Sequence, residues 1–143
     1  MNKATADYET GLIGSTLAIY DATKAYATIL SPSDFENFEY SLMWDLFKKS
    51  DNQGDYLESV VKNAEERGLS GVYISQLMNG WNAGPAHLAF NVERVKRASI
   101  SRKARQRLLG VIKLDDSEIP DALDKLTTEV KDLMLGDIKN DPQ

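Results

Sequence analysis

Residues 60–79, VVKNAEERGLSGVYISQLMN, decide how this chain reads. Val60 and Ala64, then Leu69, Ile74 and Leu77, sit at helical rather than alternating intervals, on either side of a break at Gly68. Gly68 stands where a first helix would end, and glycine is the residue that adopts positive φ at least cost. Ala64, four residues earlier, is small enough to let two helices cross closely. Ile74 and Leu77 lie three apart on one helical face, so they anchor a second helix while Val72, Tyr73, Gln76 and Asn79 point elsewhere.

This order of helix, glycine bend and helix, followed by Asn79-Gly80 and a new helix opened by Pro85, resembles the helix-turn-helix of the lambda repressor and Cro family over residues 60–98. The resemblance implies an all-α fold that presents one helix to the major groove of double-stranded DNA. It puts Ser70, Val72, Gln76 and Asn79 at positions that approach base edges or the sugar-phosphate backbone. Gln76 is the strongest reader among them, because a side-chain amide both donates to and accepts from adenine N6 and N7. Counting from Phe35, five helices reach Lys113, the number in the DNA-binding domain of lambda-like repressors. Two features depart from the family: the helix before the bend is long, with an unfamiliar DNQGD connection ahead of it, and an extra helix precedes the pattern.

The net charge of −5 speaks against nucleic acid, but its distribution reverses that impression. Residues 1–55 hold 4 Lys/Arg against 9 Asp/Glu, residues 56–113 hold 10 against 4, and residues 114–143 hold 3 against 9. Screening confines exposed charges to a reach of about 8 to 10 Å at ordinary salt, so the basic middle acts locally. Its densest part, ERVKRASISRKARQR from Glu93 to Arg107, supplies Arg94, Lys96, Arg97, Arg102, Lys103, Arg105 and Arg107. If Ser101 caps a helix, Arg102, Lys103 and Arg105 fall at the positive end of its dipole, where acids would be favoured. A ligand phosphate is one reason for such a conflict. Pairing with the acidic flanks, through 34–45 or 115–124, is the other.

Two of the remaining segments carry recognisable punctuation. Leu12, Ser15, Ile19, Ala22, Tyr26 and Ile29 recur at three- and four-residue steps, the pattern of one amphipathic helix with a largely apolar face. Ser33 with Glu36 fits a capping box at the start of a helix that bears Phe35, Phe38, Leu42, Leu46 and Phe47. Leu57, Val60, Val61 and Ala64 form the next stripe, and two separate helices are expected over 85–98 and 101–113. No segment alternates with period two, so the chain reads as all-α: a domain over 1–113, an acidic helix over 114–136 and a frayed tail over 137–143. In that acidic helix Ile119, Leu123, Leu126, Val130 and Leu133 follow an a/d rhythm. The stripe serves either packing on its own chain or a homodimer, which would pair half-sites one helical turn apart.

Composition narrows the chemistry. With 42% hydrophobic and 27% charged residues the chain has the means to fold around a core. The absence of cysteine removes disulfides, thiolate nucleophiles and cysteine-based metal sites, and favours a cytoplasmic location. The apolar run 12–30 contains Asp21 and Lys24 and lacks a basic leader, so neither a membrane span nor a signal peptide is expected. His87, the sole histidine, has apolar neighbours in PAHLAF and is expected to be a buried or half-buried structural imidazole rather than a base. No phosphate-binding glycine loop, calcium loop or nucleophile triad is present, so the chain is read as no enzyme, without cofactor or metal. Trp81 follows the Asn79-Gly80 turn signal and is a candidate anchor for a partner or a packed loop residue. Two functions follow: a sequence-specific DNA-binding regulator of the phage or plasmid repressor kind, or a small acidic protein-binding module, such as an immunity, antitoxin or inhibitor protein, that faces a basic protein and uses the helical hairpin as scaffold.

Overall fold

The sequence LIGSTL, residues 12–17, alternates branched apolar residues with small or hydroxyl-bearing ones, and all six are buried. A helix buried on every side belongs at the centre of a helical protein rather than on its surface. In the computed structural model, which describes residues 3–69, 71–79 and 85–139, that helix is α1 (Lys3–Ala18). Six more helices and a short segment surround or extend from it: α2 (Tyr20–Lys24), α3 (Phe38–Lys49), α4 (Gln53–Glu66), α5 (Gly71–Asn79), α6 (Pro85–Ile112) and α7 (Ile119–Lys139). A 3-10 turn, Pro32–Asp34, precedes α3, and no strand occurs among the described residues. The all-α reading holds.

The N-terminal stretch differs from the single amphipathic helix expected of it. The chain breaks at Ile19, whose φ of −134° and ψ of 61° are not helical, and α2 sets off afresh. Hydroxyls carry the backbone through the break: Thr23 Oγ1 donates to the carbonyls of Ser15 at 3.0 Å and Ile19 at 2.9 Å. Ser15 and Thr16 bond back to Leu12 and Ile13 within α1. Thus the polar residues inside the core are satisfied locally.

The next helix starts five residues after Ser33. Glu9, fully buried on α1, accepts from the backbone amides of Glu36 at 3.0 Å and Asn37 at 3.1 Å. Those amides therefore stay out of a helix, and Asn37 becomes the cap, its side chain accepting from the amides of Glu39 and Tyr40. The capping box expected at Ser33 and Glu36 forms instead between Ser31 and Asp34, around the 3-10 turn. Phe35 is buried as expected, but Phe38, at the helix start, is exposed.

An aromatic cluster fills the space beside α1. Trp44 lies 5.3 Å from Phe35 and 4.9 Å from Phe47, ring to ring, and Phe47 meets Tyr56 at 5.4 Å and Tyr20 at 5.2 Å. Each polar end has a partner: Trp44 Nε1 donates to the Leu30 carbonyl at 2.9 Å, and the Tyr56 hydroxyl pairs with Thr16 at 2.6 Å. Burial raises the Tyr56 hydroxyl far above the usual phenol range, so it stays neutral. On α4 it is Tyr56, Val60 and Ala64 that face inward, while Val61, expected in that stripe, is largely in solvent. Lys24 reaches from α2 to the last carbonyls of α3, at Phe47 and Ser50, where a cation complements the helix dipole.

The two helices expected over 85–98 and 101–113 are one. α6 runs unbroken from Pro85 to Ile112, so four helices, not five, lie between Phe35 and Lys113. Its first half packs on α1, burying Leu88, Val92 and Val95, and it also meets the 3-10 turn; its second half packs on α7. α1 crosses it where Gly11 faces Asn91: a Cβ at position 11 would lie 2.8 Å from Asn91 Nδ2. α7 packs chiefly on α6, so the two form a hairpin arm. It starts at Ile119, five residues after the start expected at 114, with Pro120 in its first turn, and continues to Lys139, three residues past the expected frayed boundary. Among the described residues no helix is long and apolar enough to cross a membrane.

Candidate binding surfaces

The bend after α4 is built as its sequence demands. Gly68 adopts φ of +73°, the one positive φ among the described residues. The Leu69 amide returns to the Ala64 carbonyl at 2.8 Å and the Gly68 amide to Glu65 at 3.1 Å, the paired bonds that close a helix on a left-handed residue. Leu69 and Ile74 are partly buried and Leu77 is buried, so α5 is anchored through the positions its spacing indicated. α5 nevertheless packs more extensively on α1 than on α4. Ala64, Leu69, Tyr73 and Ile74 border a void of only about 10 Å³.

Of the residues placed on the reading face by resemblance, Val72 is 62% exposed and Gln76 is also in solvent. Ser70 lies outside the described residues, and for Asn79 only the backbone, at the end of α5, is described. Ser75 is exposed. Tyr73 turns inward: burial first, and then the Glu39 carboxylate beside it, push its hydroxyl well above the usual phenol range. Glu39 also meets Arg67 at 3.4 Å, and Arg67 sits 5.4 Å over the Phe38 ring.

The basic run is not one surface. Because α6 is continuous, no helix begins at Ser101, and the conflict between cations and a helix N-terminus does not arise. Asp34, only 1% exposed, gathers three residues from the middle of α6. Ser99 Oγ donates to its Oδ1 at 2.6 Å, Lys103 Nζ to the same oxygen at 3.0 Å, and Lys96 Nζ lies 3.6 Å from Oδ2. The Ser31 amide bonds Oδ2 at 2.8 Å. Burial alone would raise this carboxyl; the Ser99 and Ser31 hydrogen bonds and the two lysine charges outweigh it and hold its pKa below 3.8. Arg102 Nη2 donates to the Asp34 carbonyl at 2.9 Å, and Nη1 lies 3.9 Å from Glu36.

Two more cations of the run find carboxylates within the chain. Arg97 pairs with Glu93 at 3.0 Å, one turn away, and Arg107 pairs with Glu129 across the arm. Arg94 stacks 4.8 Å over Phe90, which in turn packs edge-on against Tyr8. Arg105 is exposed on the arm. Of the seven residues assigned to phosphate, five therefore have carboxylates of their own chain within 4 Å: Lys96, Arg102 and Lys103 meet the 34–45 flank that the sequence left open, while Arg97 and Arg107 use Glu93 and Glu129, outside both expected flanks.

The arm itself is incompletely covered. Ile119, Leu126, Val130 and Leu133 are half-buried, so most of the acidic helix's stripe packs on its own chain, but Leu123 is exposed. Leu108, Leu109, Ile112, Leu114 and Met134 are exposed with it, Ile112 at 65%. A groove of about 420 Å³ opens between the helices, floored by Ala104, Leu108, Leu126 and Val130 and rimmed by Arg105 and Lys131. A second, of about 360 Å³, lies beside Val111, Leu114 and Ala122. This surface was invisible to a reading that treated 101–113 as a phosphate grip; the signal was the cluster LLGVI at 108–112, apolar and unassigned.

His87 is exposed rather than buried: with Leu88, Val92 and Val95 turned to the core, position 87 falls off the packed face. Trp44 is core, and Trp81 lies outside the described residues. Among the described residues, no three His, Asp or Glu side chains are gathered in a way that could hold a metal ion. Comparison with protein-family models, curated proteins and solved structures finds no match to this chain.

Proposed function

We propose that this chain is a small acidic protein-binding module whose working surface is the α6–α7 arm, with the α4–α5 hairpin as scaffold. One observation carries the reading: six large apolar side chains stand exposed on, or at the tip of, a two-helix arm that packs chiefly on itself. Scattered exposed apolar residues are ordinary, whereas a cluster marks a contact surface, and here Leu108, Leu109, Ile112 and Leu114 stand exposed within seven residues. The first groove is apolar at its floor, so the apolar ridge of an amphipathic helix would meet Leu108 and Val130 there. The experiment is differential capture from cells that make the protein. Wild type and Ile112→Asp are tagged and recovered in parallel; a partner held by the first and lost by the second supports the reading, and identical recovery refutes it.

The second reading, a DNA-binding regulator of the repressor kind in a lambda-repressor-like fold, is favoured by the Gly68 bend and the solvent-facing Val72 and Gln76. It ranks below the first because so few cations are uncommitted. Among the described residues, Arg94 and Arg105 are the two of the run with no carboxylate within 4 Å, so binding to duplex DNA is expected to fall with salt at a logarithmic slope of about −2, against about −6 for all seven. A gel shift on random duplex at low salt decides whether any binding exists, and Gln76→Ala then tests base reading.

A further inference from the structure

We infer that the occupant of the arm's exposed face is the arm of a second copy, so that two hairpins close into a four-helix bundle about a two-fold axis. The inference rests on the reading of the arm as a contact surface and names its partner. Two packed helices can bury only the stripes that face each other, and here each helix keeps apolar residues beyond that stripe. Leu108 and Ile112 lie one turn apart on α6, and Leu123 and Met134 flank Val130 on α7. Four helices bury what two leave open.

Charge selects the second copy over a foreign helix. From 102 to 113 the arm carries five cations and no carboxylate, and with Arg102, Lys103 and Arg107 already on carboxylates of their own chain, Arg105 and Lys113 are the two that face a second copy; from 114 to 139 it carries eight carboxylates against three lysines. A chain with one basic and one acidic helix is its own complement. A two-fold that lays α6 of one copy along α7 of the other brings unlike charges together on both sides of the axis at once. The Arg107–Glu129 pair shows the same match already formed within one arm.

The size of the face suits a reversible dimer. The 21 residues of α7 make a helix about 31 Å long, and two helices side by side are about 20 Å wide. Each copy can then bury about 600 Å², about 1,200 Å² in total, the lower end of stable interfaces. A dissociation constant in the micromolar range is expected.

Sedimentation of the full chain from about 1 to 100 μM tests this. Wild type is expected to pass from monomer to dimer, and Ile112→Asp, at a side chain already in water, to stay monomeric with unchanged helix content. The absence of cysteine permits a second measurement that does not depend on weakening the interface. In an equimolar mixture, Ile112→Cys on α6 and Leu123→Cys on α7 are expected to form a mixed intermolecular disulfide under mild oxidation, and the control Val61→Cys, exposed on α4, is not expected to crosslink. A wild type that is monomeric throughout overturns the second copy; if capture still depends on Ile112, the arm then has a foreign partner. A dimer that Ile112→Asp leaves intact and Val61→Cys crosslinks also overturns it, and unchanged capture alongside removes the arm as a surface altogether.

Discussion

The two halves of α6 are continuous in backbone and opposite in circumstance. Residues 85–99 turn Leu88, Val92 and Val95 into a core shared with α1, each 4% exposed or less. Residues 100–112 turn Leu108, Leu109 and Ile112 largely to water. Apolar side chains occur in both halves, so composition does not separate them; what separates them is the number of helices that surround each. The body supplies several neighbours to the first half, whereas the second, beyond the contacts of Arg102 and Lys103 with the 3-10 turn, packs on α7. A finished core and an unfinished one thus share an element, with the Asp34 cluster at the junction.

If the body is the finished half, its centre should be the least forgiving place in the molecule. Trp44→Ala removes the ring that contacts Phe35 and Phe47 and leaves the Leu30 carbonyl without its donor. A loss of about 3 to 5 kcal/mol is expected in urea denaturation. A loss under 1 kcal/mol would show that the body is as loosely built as the arm.

The junction comes next. Asp34→Ala strands Lys96, Lys103 and the Ser99 hydroxyl in a partly buried site, and a loss of about 3 kcal/mol is expected. The effect carries a pH signature whose sign follows from the lowered carboxyl. In the unfolded chain Asp34 titrates near 3.8, and in the folded chain below it. Its contribution is therefore complete above 3.8 and fades as pH falls through the folded value. The stability gap between wild type and Asp34→Asn should be constant at neutral pH and narrow on acidification below 3.8; a gap that widens there would exclude a charged Asp34 in the folded state.

That junction also marks how far the sequence could be read. The Gly68 bend, the inward Ile74 and Leu77, and the absence of strands were legible because each depends on residues within a turn or two. The break at Ser101 was misread because a serine ahead of cations resembles a cap, while the real claim on this region comes from Asp34, 65 residues from Ser99. The start of α3 was misread for the same reason: Glu9, 27 residues away, takes the Glu36 amide. α1 looked amphipathic because its small and hydroxyl residues pass for a polar face, yet they are buried against their own backbone carbonyls. Of the candidate site, Val72 and Gln76 on α5 kept the exposure expected of them and Tyr73 beside them turned inward, whereas the cations were divided between the junction, the arm and local pairs. Nothing local in a run of arginines and lysines distinguishes a phosphate grip from an ion-pair cluster whose acids lie elsewhere in the chain.

Gly68→Ala tests the local part of that reading. No atom lies within 4 Å of where the added methyl would stand, so the whole effect is backbone strain at φ of +73°. A loss of about 1 to 2 kcal/mol is expected.

The smallest effect has the opposite sign and sharpens the contrast between the halves of α6. Gly110 is in the unfinished half, inside the helix and exposed, with open space around its missing Cβ. Its φ is not in the left-handed region, because Gly68 is the glycine that occupies it. Nothing in its conformation therefore requires glycine, and alanine should stabilise the helix by about 0.5 to 1 kcal/mol through a less disordered unfolded chain. Hydrogen exchange reads this locally: amides in 100–112 and α7 should gain protection, while those of α1 should not change. Such a split means that the arm opens without the body, as two helices with one shared face would. Uniform protection across the molecule would instead mean that the arm is cooperative with the core despite its exposed apolar face.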